Sequence, residues 1–270
     1  MTLYAAAGIA CSLFLIPGFT ILRVFFDIMH TLDLGVSQYA IPSALWELTE
    51  ANVQWPGRTR EIRFRAAYAS YRRWCKANKV ISVTKKKFAF KRFRPTAGKY
   101  PVMSQVTAKA AATRSMMYWM DEICRSRPAL STHDKVRSLM FRSFVKADLV
   151  CRRAGRLFTE AEHEQYRKHI ERALTSYNFL AAESIKVKMK NWKIVPKFHA
   201  LTHIAYDCRL NPRHTAANDD EDIVGKMKRV YCSCHAKAAS YRSLQRYTLN
   251  LCLKWWSLLH MLRGIPWDHE

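Results

Sequence analysis

From Val36 onward the apolar residues recur at three- and four-residue spacing in segment after segment, and a pattern of that period buries one face only as a helix. It runs first through Val36, Ile41, Leu45 and Leu48, then resumes over 58–79, 104–125, 132–154, 159–190, 196–208, 219–235 and 240–262. The gaps carry helix-breaking residues: Pro56-Gly57, Pro95 to Pro101, Pro128, Gly155 and Asn211-Pro212. Strand-like signal is confined to the start, where Ser12 to Ile16 and the largely apolar run Thr20 to Phe26, with Arg23 at its middle, flank a Pro17-Gly18 turn. The expected fold is therefore mainly α with a short N-terminal β element.

Charge constrains the partners of such a fold. The 270 residues include 45 Lys+Arg against 21 Asp+Glu, a formal charge of +24, and a surface so positive favours polyanions. With 49% hydrophobic residues, a packed core is expected and a disordered basic tail is excluded. The block 58–99 holds fifteen Lys+Arg and one acid, Glu61, interleaved with Tyr68, Tyr71, Trp74, Phe88, Phe90 and Phe93. Its cations Arg72, Arg73, Lys85, Lys86, Lys87, Lys91, Arg92 and Arg94 are the candidate nucleic-acid contacts, and the lysine cluster would also serve as a nuclear import signal. The aromatics could stack on bases or could face the core of an amphipathic helix. The eight Cys lack the spacing of a secreted disulfide scaffold and read as reduced thiols. The uncharged opening segment 1–22 has no preceding Lys or Arg and reads better as a buried hairpin or an incomplete domain start than as a signal or anchor.

Two acidic sites stand out against this basic background. Asp27 closes the apolar run Ile21 to Phe26, where a buried strand would end, and the knot Asp219-Asp220-Glu221-Asp222 opens an expected helix. Capping alone could account for the knot, with Asn218 at the helix N-terminus, Glu221 reaching back, and Asp219 and Asp220 favouring the positive end of the dipole. Separated acids in a cationic chain also suit two-metal phosphate chemistry. A further donor set, His199 and His203 at i and i+4 with Cys232 and Cys234 downstream, could hold zinc. Alternatively, the histidines pack beside the last acidic helix and the thiols line its inner face.

Three stretches carry a resemblance. Asp27-Ile28-Met29-His30-Thr31-Leu32-Asp33-Leu34-Gly35-Val36 resembles the "D-x-M-H, then L-G-V" signature around the second acid of eukaryotic cut-and-paste transposases of the CACTA and Kyakuja-Dileera-Zisupton kind. Trp192-Lys193-Ile194-Val195-Pro196-Lys197-Phe198-His199-Ala200-Leu201-Thr202-His203 is similar to the "W-K…P-K-x-H-x-L-x-H" stretch before their last acid. Asp220-Glu221-Asp222-Ile223-Val224-Gly225-Lys226-Met227-Lys228-Arg229 is similar to their "F-E-x-x-x-G-x-L-K-R" helix, with Glu221 on the catalytic glutamate. The resemblance covers roughly 19–247 and rests on the order and separation of short motifs.

It implies a partial ribonuclease-H-like core interrupted by an all-helical insertion: 1–51 as core strand and following helix, 52–190 as the basic insertion, and 191–270 as the part carrying the last acid. It also implies Mg2+ or Mn2+ held by Asp27 and Glu221 for DNA strand transfer. The segment 1–26 contains no Asp or Glu, so the family's first catalytic Asp has no counterpart. A transposase-derived, catalytically incomplete DNA-binding protein of the nucleus is expected, able to self-associate, with no small-molecule substrate and no membrane. The competing expectations are a non-catalytic basic helical nucleic-acid-binding adaptor whose acids are helix caps and, behind it, a basic protein anchored in a membrane by its first 22 residues.

Overall fold

The computed structural model describes residues 26–50, 53–81, 84, 86–93, 98–126, 128–207 and 209–217, together with 228, 230–232, 245–246, 248–249 and 252–253. The chain divides into two compact units, Met1–Ala216 and Ala217–Glu270. The expected β element at 12–26 and the helices at 219–235 and 240–262 fall largely or wholly outside the described residues.

The described fold is mainly helical. A π-helical segment, Met29–Val36, runs directly into α1, Ser37–Leu48. Then follow α2, Arg60–Ala77; the single turn α3, Phe90–Phe93; α4, Ala110–Arg125; α5, Thr132–Arg153; α6, Glu160–Lys186; α7, Lys197–Tyr206; and a 3-10 turn, Pro212–Thr215. Among the described residues there is no strand, only an isolated bridge between Leu157 and Leu210.

Local chemistry sets these boundaries. Thr59 caps α2 by accepting from the Ile62 amide, Ser131 caps α5 by accepting from Asp134, and Thr159 forms a reciprocal capping box with Glu162 at the start of α6. Helices α2 and α6 close alike: the amides of Lys79 and Val80 bond to the carbonyls of Lys76 and Cys75, those of Lys188 and Met189 to Ile185 and Ser184. Lys79 and Lys188 then take the left-handed conformation usual at that position, with φ of 52° and 55°. Pro42 sits inside α1, where it cannot donate to the Gln38 carbonyl four residues back. The Met103 amide bonds that carbonyl instead, at 2.9 Å.

Within the first unit the helices pack in a closed circuit: the π-helical segment against α4, α4 against α5, α5 against α6, α6 against α7, and α7 back on the π-helical segment. Helix α1 leans on the π-helical segment and α4, while α2 is laid onto α4 from outside. The core is rich in aromatics, including Trp119, Trp192, Tyr71, Tyr166, Tyr177, Phe64, Phe88 and Phe141, all fully buried.

One carboxylate joins three parts of this core. Glu47, at the end of α1, accepts from Asn191 Nδ2 at 2.9 Å and Trp192 Nε1 at 2.5 Å on Oε1, and from His133 Nε2 at 3.0 Å and Arg137 Nη1 at 2.8 Å on Oε2. Burial would raise its pKa, but those donors, His133 and Arg137 foremost, hold it below the usual range. Trp192 reaches Glu47 from a left-handed backbone, φ 55°. That conformation costs about 1–3 kcal/mol in a bulky residue, and the Trp192 bonds to Glu47 and Ser43 Oγ hold it in place.

Candidate nucleic-acid interface and the acidic site

The basic block forms a groove along α2 and α3. Glu61, Arg65, Tyr68, Ala69 and Arg72 share one face of α2, and the chain returns along them as Lys87, Phe88, Ala89 and Arg92. Together they line an open groove of about 640 Å3. Glu61 closes one end by accepting from the Phe90 amide at 3.0 Å, which ties α3 to α2. Arg92 Nη1 donates to the Lys87 carbonyl at 2.7 Å, fixing two of the cations side by side. Four guanidinium or ammonium groups, all on exposed residues, thus face one groove, an arrangement that suits successive phosphates of a polyanion.

Of the expected contacts, Arg72, Lys87 and Arg92 line this groove. Lys91 borders a neighbouring recess with Glu61, Ala89 and Phe90, and Arg73 and Lys86 are exposed away from both. Lys85 and Arg94 lie outside the described residues. Arg65 also lines the groove, from the same face of α2, seven residues before Arg72, a spacing that marks a shared helix face. Two cations of the block are structural. Arg63 is buried and bonds the carbonyls of Thr49 and Gly57, both at 2.6 Å; Arg60 pairs with Glu50 and stacks on Trp46.

The aromatics correct half of the base-stacking idea. Tyr71, Phe88 and Phe93 are buried, with ring centroids 5.7 Å apart for Tyr71 and Phe88 and 5.4 Å for Phe88 and Phe93. They form the seam between α2, α3 and α4 because the hydrophobic gain of burying a ring outweighs exposure to a ligand.

Asp27 starts a helix. Its Oδ1 accepts from the Met29 amide at 3.1 Å, and its Oδ2 from the His30 amide at 2.9 Å and His30 Nδ1 at 2.5 Å. This is N-cap geometry, and an imidazole bond reinforces it. Asp33 is buried two turns on, where Arg114 grips it through Nε at 3.1 Å and Nη2 at 2.5 Å. Burial still pushes the Asp33 carboxyl up to about 6 against the pull of Arg114.

The first two motif stretches meet. The π-helical segment and α7 lie against each other, with Lys197 beside Gly35 and the Phe26 ring 5.7 Å from His203. Lys197 Nζ donates to the Leu34 carbonyl at 3.0 Å, and a Cβ on Gly35 would stand 2.6 Å from Lys197 Cδ and 2.9 Å from the His30 carbonyl. Glycine is therefore required at 35 for close approach. On α7 the Nε2 atoms of His199 and His203 are 3.0 Å apart, and His203 Nδ1 is held by Asp207 Oδ2 at 2.6 Å. Of the other candidate zinc ligands, Cys232 is an exposed free thiol, and Cys234 and Glu221 lie outside the described residues. Among the described residues no group of three or more His, Cys, Asp or Glu side chains is set to share a metal ion. As arranged, Asp27 fits a cap, with its Oδ2 shared between the His30 amide and imidazole.

Among the described residues no helix is long and apolar enough to cross a membrane. Comparison with known protein families, curated proteins and solved structures finds no significant match.

Proposed function

We propose that this chain is a DNA-binding protein of cut-and-paste transposase descent, acting in the nucleus, that grips the phosphate backbone through the α2–α3 groove. The observation that carries the reading is the convergence of Arg65, Arg72, Lys87 and Arg92 on one open groove in a chain of net charge +24. Descent is supported by the order of the three motifs and by the packing of Gly35 against Lys197, which gives two of those motifs a shared structural reason. Asp27 and Glu221 are the remaining legs of the ancestral Mg2+ or Mn2+ site, and strand transfer would need a further carboxylate. Self-association would be one way to supply it.

Fluorescence anisotropy with a labelled duplex tests the reading. Replacing the four groove cations by Ala weakens binding at least about tenfold at moderate salt, since each lost phosphate contact removes released counterions. Undiminished affinity would sink it. The adaptor alternative is favoured by one observation, the use of the Asp27 carboxylate as a helix cap. Calorimetry with Mn2+ separates the two: heat of binding that vanishes in both Asp27→Asn and Glu221→Gln supports a retained metal site, and no heat in the parent chain supports the adaptor.

A further inference from the structure

A second groove opens on a different face of α2. Trp74, Asn78 and Lys79 from its C-terminal end, Arg114 and Tyr118 from α4, and Arg152 from the end of α5 surround a volume of about 450 Å3, within the usual range for small-ligand sites. Its two rings are held from behind. The Trp74 indole N–H donates to Glu122 Oε2 at 2.8 Å, with the ring stacked on Tyr71. The Tyr118 hydroxyl donates to Asp148 Oδ2 at 2.5 Å. The cations are positioned too. Arg152 lies over the Tyr118 ring at 5.1 Å and spends its Nε on Asp148 at 2.7 Å. Arg114 spends Nε and Nη2 on buried Asp33, and among the described residues its Nη1 has no bonded partner. Ile81, 99% exposed, borders the same groove and adds apolar surface.

We propose that this groove binds a nucleotide, its base against Trp74 and Ile81 and its phosphate between Lys79, Arg114 Nη1 and Arg152. A bare anion would use the cations but leave the aromatic and apolar wall uncovered. A purely apolar ligand would offer no acceptor to Lys79, to Arg114 Nη1 or to the guanidinium donors of Arg152 beyond the Nε that Asp148 already holds. A base joined to a phosphate meets both, since every base has a stackable face and guanidinium forks match phosphate. The nucleotide could be free or part of an unpaired strand, and the site is independent of the duplex-binding groove on the other face of α2.

The test uses the full chain with adenosine 5′-monophosphate, inorganic phosphate and a single-stranded oligoadenylate, read by calorimetry. Lys79→Gly is the informative variant, because glycine relieves the left-handed backbone at 79 while removing a cation, so thermal stability holds or rises. Nucleotide or oligonucleotide binding should fall at least about tenfold in the Lys79→Gly/Arg152→Ala double variant, as expected for loss of charge-assisted phosphate bonds. Inorganic phosphate should bind about tenfold or more weakly than the nucleotide, the share lost with base stacking. Binding of the monophosphate points to a free nucleotide, and binding of the oligonucleotide alone points to an unpaired strand; either supports the site. Affinity unchanged in the double variant, phosphate bound as tightly as the nucleotide, or no binding by any probe to the folded chain overturns it. Duplex affinity in the double variant should stay within about twofold of the parent, as expected for surface sites that share no contacts, so failure of this site leaves the duplex-binding proposal standing.

Discussion

Asp27 and Asp33 are six residues apart and do opposite things to stability. Asp27 satisfies the first amides of its helix and pairs with His30, so Asp27→Ala should cost about 1 kcal/mol, measured as a lower urea midpoint. An unchanged midpoint would mean that the cap contributes nothing. Asp33 is buried, and its carboxyl is raised to about 6 from 3.8. A group with a raised pKa favours the fold below its unfolded pKa and loses that contribution as pH rises through the folded value. The parent should therefore lose stability relative to Asp33→Asn between about pH 4 and pH 6 and level off above pH 7, as urea melts of both chains across that range would reveal. A difference that stays flat with pH would contradict the assignment. Asp27 drew attention in the sequence as a lone acid closing an apolar run. Nothing there disclosed that Asp33 meets Arg114, because 81 residues separate them and only the packing of α4 on the π-helical segment unites them.

Helices were the most legible element. Expected spans of 58–79, 132–154 and 196–208 compare with Arg60–Ala77, Thr132–Arg153 and Lys197–Tyr206, since the apolar period and the Thr or Ser caps act locally. The expected helix at 104 begins instead at Ala110, because 105–107 form a turn with the Thr107 and Ala108 amides bonded to the Ser104 carbonyl. The helix expected to reach 190 stops at Lys186, where Lys188 turns left-handed without a glycine to announce it. Least legible was the π-helical segment, whose contact with α7 joins Leu34 to Lys197, 163 residues apart in sequence. Gly35 is its pivot: Gly35→Ala should cost about 1–3 kcal/mol, the usual range for overpacking, seen as a lower melting temperature. A variant as stable as the parent would show that the approach to Lys197 and the His30 carbonyl is looser than described.

At the scale of the molecule, Glu47 and the basic groove carry the account. Glu47 links α1 to α5 and to the turn before α7 by four bonds. Removing it leaves the buried Arg137 with Asp134 as its remaining carboxylate and takes the acceptor from Asn191, Trp192 and His133, so Glu47→Ala should cost about 1–3 kcal/mol; urea unfolding with a loss under about 1 kcal/mol, no more than a typical substitution, would contradict that role. The sequence marked the block 58–99 as cationic but could not say which cations converge. Arg60 and Arg63 are spent on α1, and Arg65 joins the groove through helical register alone. The most direct test of the central claim is the salt dependence of duplex DNA affinity for the parent and for Arg65→Ala/Arg72→Ala/Lys87→Ala/Arg92→Ala. At about 0.9 per phosphate neutralised, the log–log slope should be shallower by about 2–4 in the variant, and parallel lines of equal affinity would contradict the claim.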